Sequence, residues 1–130
     1  MASFPLELVS PEKLLVSADV ESVLLPGADG EFEVMAGHAP LLALLGPGIM
    51  NVKGGDVPSS RLFIDGGFCD VGPAGCTVLA EAAVPVDGDA AAVVDARIAD
   101  AEDKLAGLEG DAKDQAARRL ATLQSVRASL

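Results

Sequence analysis

The chain has 130 residues, with 20 acidic against 9 basic side chains and a formal net charge of −11. Such a deficit of Lys and Arg excludes a nucleic-acid binder held by phosphate contacts, which needs cations to displace counterions, and it argues equally against docking on anionic lipid. At this length one compact domain, or one with a small appendage, buries enough surface to be stable, and two independent enzymes do not fit.

Half of the residues are hydrophobic, yet there are four Phe and no Trp or Tyr, so the core is expected to be aliphatic. Two Cys and one His are too few for a disulfide scaffold or an ordinary zinc site. The segment from Met1 to Lys13 carries Glu7 and Glu12 and no basic n-region, which argues against a signal peptide and makes the cytoplasm the default.

In chain order, the first expected strand contains Phe4, Leu6 and Leu8 in alternation. Lys13 to Ala18, Glu21 to Pro26 and Glu31 to Met35 follow, the last two separated by a turn at Gly27 to Gly30. Val34 to Val52 then runs 19 residues without a charge, the length of a membrane span. Gly37, Pro40, Gly46, Pro47 and Gly48 interrupt it, and a continuous helix could not satisfy its backbone through those breakers. Short buried strands or turns fit better, Gly48 to Val52 among them. Arg61 to Asp65, Phe68 to Val71 and Thr77 to Ala80 complete about eight strands, with turns at Gly54 to Asp56 and Gly72 to Gly75. Short strands without intervening helices predict a sandwich or barrel.

The grammar changes near residue 86. All eight Pro lie at or before Pro85, and 11 of the 14 Gly fall between Gly27 and Gly75. Beyond that point Val94, Ile98, Ala101, Leu105 and Leu108 recur at helical spacing. Gly107 and Gly110 interrupt the stripe, and a second follows at Ala116, Leu120, Leu123, Val126 and Leu130. The expected architecture is therefore an all-β domain over residues 1–86 followed by an antiparallel α-helical hairpin over residues 87–130. Asp87 and Asp89 suit a helix N-terminus, while Arg118, Arg119 and Arg127 suit C-terminal carbonyls. With Ala so common at the seam, little area is buried, and a mobile appendage is expected.

Chemistry has no obvious carrier: there is no phosphate-binding loop, nucleophile elbow, H-E-x-x-H or C-x-x-C. Asp29-Gly30-Glu31 lacks the ligand spacing of a calcium loop and reads as a hairpin turn. His38, the sole imidazole, reads as an interface or turn residue, since no nucleophile or orienting acid is evident beside it. Cys69 and Cys76 flank the turn at Gly72 to Gly75; a tight hairpin sets Cys69 opposite Val78 and Val71 opposite Cys76. That diagonal placement disfavours a disulfide and predicts buried thiols. The basic side chains of the helical half could hold a phosphate, but a solvated face is the commoner meaning of such charges.

The run Gly30-Glu31-Phe32-Glu33-Val34-Met35-Ala36-Gly37-His38-Ala39-Pro40-Leu41-Leu42, followed by Gly46-Pro47-Gly48, resembles the epsilon subunit of the F-type ATP synthase. The flanking segments, Leu6 to Glu12, Asp65 to Val71 and Thr77 to Glu81, occur in that family's order. The resemblance covers the whole chain and implies an N-terminal β-sandwich with a C-terminal helical hairpin. It implies a non-catalytic rotor subunit of the central stalk, peripheral on the cytoplasmic face of a bacterial plasma membrane and not inserted in it. Its partners would be the gamma subunit, the c-subunit rotor ring and, in some states of the hairpin, the alpha/beta catalytic head. Carried over by motif, Ser10, His38 and Ala43 face gamma, and the turn Asp29-Gly30-Glu31 faces the ring. The aliphatic patch at Leu41 to Leu45 would supply the apolar part of a permanent interface.

Some relatives bind ATP between the helices or extend them to inhibit ATP hydrolysis. Their nucleotide motif places Arg-Ala three residues after an aliphatic-Asp pair. Val94-Asp95 fits, but Ile98-Ala99 follows and Arg97 comes one position early, a rotation of about 100°. No cofactor is therefore expected, ATP is disfavoured, and Asp95, Arg97, Arg118 and Arg119 are the residues that would contact it. Weak inhibition at most is expected of so short and acidic a hairpin. The alternative readings are a nucleotide-sensing small protein with ATP between its helices, and a sandwich adaptor unrelated to the synthase.

Overall fold

A computed structural model describes residues 2–130. The β-rich part comprises β1 (Phe4–Val9), β2 (Leu14–Val20), β3 (Ser22–Gly27), β4 (Gly30–Met35), β5 (Leu41–Leu44), β6 (Gly48–Lys53), β7 (Arg61–Gly72) and β8 (Gly75–Pro85). Helices α1 (Ala90–Ala106) and α2 (Gly110–Ala128) follow. Strands run in the order β2-β1-β8-β7-β6-β3-β4, with β5 added on β7 and β1 parallel to β8.

Two expected elements differ. Arg61 to Asp65 and Phe68 to Val71 belong to one long strand, β7, whose first half pairs with β6 and second half with β5. The apolar run after Pro40 supplies the extra strand β5.

The pair Gly66-Gly67 explains how β7 serves both layers. Before it, Leu62 and Ile64 point into the aliphatic core and Phe63 points out; after it, Cys69 and Val71 point in and Phe68 points out. The alternation slips by one, as it must where a strand turns the corner between two packed layers. β8 slips in step, with Ala80 and Ala83 both on the core side, so the pairing register is unbroken from Gly72↔Gly75 to Leu62↔Pro85. Both glycines have positive φ, and a Cβ on Gly67 would lie 1.9 Å from the Leu79 carbonyl oxygen. Only glycine fits there.

The main core is aliphatic, built from Leu6, Leu8, Leu25, Met50, Ile64 and Val78 among others, with Phe4 as its buried ring. A second core forms outside it. Ile49, Phe63 and Val84 make a row across β6, β7 and β8, and the helices cover this row with Ala90, Val94, Ala101, Leu123 and Val126. Phe63 has no exposed surface. The hairpin thus lies packed on the sandwich rather than hanging from it, because one large ring supplies the area that its alanines do not. Asp89 occupies the α1 N-cap position without a side-chain cap bond, and Asp87 instead accepts from the Ser59 hydroxyl at 3.4 Å.

Candidate functional site

Two features stand out: an apolar row left uncovered and an ionic clamp under the helices. The row follows from the slip at Gly66-Gly67. Beyond it the outward side of β7 carries Phe68, which pairs with Leu44 on one side and Leu79 on the other, and Leu79 in turn pairs with Val9. Leu42 and Leu44 point outward from β5, 70% and 71% exposed, while Phe68 and Leu79 are each 37% exposed. On the same face, Leu42, Asp70, Thr77 and Glu7 form a neighbouring row that is polar except at Leu42. An exposed apolar row bordered by polar side chains is the surface pattern of a protein contact.

The residues expected to face a partner distribute around this row. Ser10 adjoins its Val9 end, lining a shallow cleft of about 480 Å³ with Phe68 and Leu79. His38 lies beyond the far end of β5, in a cleft of about 430 Å³ with Phe4, Met35, Pro40 and Val71. Its Nδ1 lies 2.6 Å from the Ala39 carbonyl oxygen, which can only accept, so Nδ1 is the donor of that bond. Ala43 is half-buried and pairs with Cys69 on the inner side of the strand; the outward neighbours are Leu42 and Leu44. Asp29, Gly30 and Glu31 are exposed at the β3–β4 turn, which is tied to the end of β5 by the Ala28 N–H donating to the Leu44 carbonyl at 2.9 Å. This acidic turn therefore abuts the Leu44 end of the row.

The clamp centres on Asp65, which follows the inward-facing Ile64 and so points at the helices. Its side chain is 6% exposed. Arg119 of α2 grips it with two bonds, Nη1 to Oδ1 and Nη2 to Oδ2, each 2.8 Å, and Arg97 of α1 donates through Nη1 to Oδ2. Burial alone would push the Asp65 carboxyl upward, but hydrogen bonds and charge from Arg119 and Arg97 outweigh it and hold the carboxyl below its usual value. The same bonds push the Arg119 guanidinium up. Arg97 Nε is buried without a hydrogen-bond partner. Farther along, Arg127 Nε donates to Asp95 Oδ1 at 2.8 Å, joining the two helices to each other.

Asp95, Arg97, Arg118 and Arg119 therefore do not converge on one cavity. Arg97 and Arg119 meet at Asp65, Asp95 is taken by Arg127, and Arg118 is exposed on α2. Nor do Arg119 and Arg127 serve the terminal carbonyls, since both spend their guanidinium groups on carboxylates. Sequence reasoning missed Phe68, Leu79 and Asp65 as functional positions. The available signal was parity: with Cys69 and Val71 inward, Phe68 must face out, and an acid inside an apolar strand calls for a cationic partner.

Comparison with known proteins gives a consistent result. Residues 3–86 match the β-sandwich domain of the ATP synthase delta/epsilon chain. The ATP synthase epsilon chain of Mesorhizobium japonicum is 49% identical over 89% of this chain and 83% of its own length. That of Nitrobacter hamburgensis, epsilon chain 1, is 43% identical over 100% and 96%. Among solved structures, a chain of the Euglena gracilis mitochondrial ATP synthase, in an OSCP/F1/c-ring assembly, superposes with a TM-score of 0.73 at 22% identity, covering 99% of this chain and 82% of the other. A chain from the central stalk and c-ring of the Tetrahymena thermophila mitochondrial ATP synthase superposes with a TM-score of 0.69 at 12% identity, covering 95% and 96%.

Proposed function

Because the chain belongs to the ATP synthase epsilon-chain family, as a non-catalytic subunit of that enzyme, we propose that it serves in the central stalk, coupling rotation of the membrane ring to the gamma subunit. The observation that carries this reading is the uncovered row of Leu44, Phe68 and Leu79 beside Leu42. Torque transmission needs a stiff body joined permanently to its shaft, and a double-layered β-structure with an apolar face supplies both stiffness and adhesion. Ser10 and His38 flank the row and belong to the same gamma-facing surface, with Ala43 behind it. The acidic turn Asp29-Gly30-Glu31 faces the polar loops of the c-subunit ring. Among the described residues no helix is long and apolar enough to cross a membrane. The stalk reading itself places the chain peripherally, on the cytoplasmic face of a bacterial plasma membrane.

The helical pair is the regulatory part, over residues 87–130, contacting the alpha/beta head only when released from the sandwich. Nucleotide binding is the less favoured reading, because phosphate oxygens would have to displace Asp65 from Arg97 and Arg119. Assembly tests the stalk reading. Replacing Leu44 and Phe68 by Asp should weaken gamma binding about 100-fold, the size expected when a buried contact of about 2–3 kcal/mol is lost, whereas Glu33→Gln should change it little. Undiminished gamma binding by the double variant, measured on folded protein, would remove the row from the interface.

A further inference from the structure

The two cysteines of the chain lie farther from the helices, under the β7–β8 turn, and no role described above uses them. Their main-chain placement is diagonal, Cys69 opposite Val78 and Val71 opposite Cys76. Yet both side chains point inward and their Sγ atoms meet at 3.4 Å. The diagonal that argued against a bond leaves the sulfurs about 1.4 Å beyond disulfide length, a gap that side-chain rotation with a small increase in twist can close. Both thiols are free and buried. Of the two, Cys76 keeps 2% of its surface exposed and Cys69 none, so Cys76 is the side of the pair that a small oxidant meets first.

We infer that Cys69 and Cys76 are a reversible redox pair that closes to an intrachain disulfide when a peroxide is supplied. The chemistry divides by position. Cys76, the less enclosed of the two, is the nucleophile: its thiolate attacks a peroxide oxygen, the O–O bond breaks, and hydrogen peroxide leaves a sulfenic acid and hydroxide. Cys69, in contact behind it, resolves: its sulfur attacks the sulfenic sulfur, the S–S bond forms, and the sulfenic oxygen departs with protons as water. In sum, two thiols and one hydrogen peroxide give one disulfide and two waters, sulfur being oxidised and peroxide oxygen reduced. The hydrogen bond between the thiols supports this division of labour. It pushes Cys69 up, along with burial, and holds Cys76 down against the opposing effects of burial and of Asp70. Twist imposed on a diagonal bond makes it readily reducible, hence reversible. The hairpin that the bond would tighten carries Phe68 and Leu79 on its outer face, but the inference stands on the sulfur geometry alone and holds whatever that face binds.

The test is intact mass and thiol alkylation of the folded full-length chain after hydrogen peroxide, with circular dichroism before and after. The expected result is a chain lighter by two hydrogen atoms, loss of both alkylatable thiols, an unchanged β spectrum, and recovery of both thiols with dithiothreitol. Cys69→Ala should instead trap the Cys76 sulfenic acid for dimedone; should that variant unfold, the wild-type mass result decides by itself. Thiols that survive peroxide in the folded chain and oxidise only in denaturant, or that end as sulfinic acid or intermolecular dimers, would overturn the inference.

Discussion

At the scale of single residues, Gly67 and Asp65 carry more than their share. Gly67 permits the corner in β7, and its replacement by Ala sets a Cβ against the Leu79 carbonyl at a positive φ. Gly67→Ala should cost on the order of 3 kcal/mol, combining backbone strain with a steric clash, as read from urea unfolding. Asp65 is the acceptor for two arginines, themselves 34% and 41% exposed, so solvent screening reduces what the clamp contributes. Asp65→Asn should destabilise the chain by about 1–2 kcal/mol, less than a fully buried pair would lose. Because the folded carboxyl titrates below its unfolded value, the clamp's contribution is fully present above about pH 4 and is lost as pH falls through the lower folded value. Wild type and Asp65→Asn should therefore converge in stability on acidification, a convergence that acid-range urea titrations of both proteins would reveal.

At the scale of elements, the packing of the helices on the sheet rests on Phe63 more than on the many alanines opposite it. Phe63→Ala should remove about 3–5 kcal/mol from that second core and make the α1–α2 segment a preferred site of limited proteolysis, while the β-rich part keeps its protection. Equal cleavage rates in wild type and variant would show that the ring does not hold the helices. Much of this level was legible beforehand. The break near residue 86, both helical stripes and most strands follow from Pro and Gly placement and apolar periodicity. Three things were not legible. Strand β5 is four residues long and lies in an apolar run that periodicity cannot divide. The unity of β7 was hidden because Gly66-Gly67 separates the two expected strands, Arg61 to Asp65 and Phe68 to Val71, whereas it bends one strand between layers. Packing of the helices depended on Phe63, which local pattern assigned simply to a strand. The four proposed nucleotide contacts illustrate a related limit: spacing put Asp95 and the arginines on neighbouring helices, but only the packed structure shows their charges meeting Asp65 or one another.

At the scale of the whole molecule, the sandwich has two outward apolar rows, one sealed by its own helices and one open. The same corner in β7 creates both, with Phe63 on one side and Phe68 on the other. An acidic chain of this kind fits a partner surface that is apolar at its centre and neutral or basic at its rim. The aliphatic run at Leu41 to Leu45 pointed to this face from sequence; its partners on β7 and β8 required the pairing register. The central claim, stalk membership through the open row, is tested most directly by affinity purification of the tagged chain from gently solubilised membranes, with identification of co-eluting proteins and an ATP-hydrolysis assay. The account predicts recovery of gamma, the alpha/beta head and the c-ring with ATPase activity, and loss of gamma and the head from the Leu44→Asp, Phe68→Asp variant. Recovery of the wild-type chain alone would contradict it.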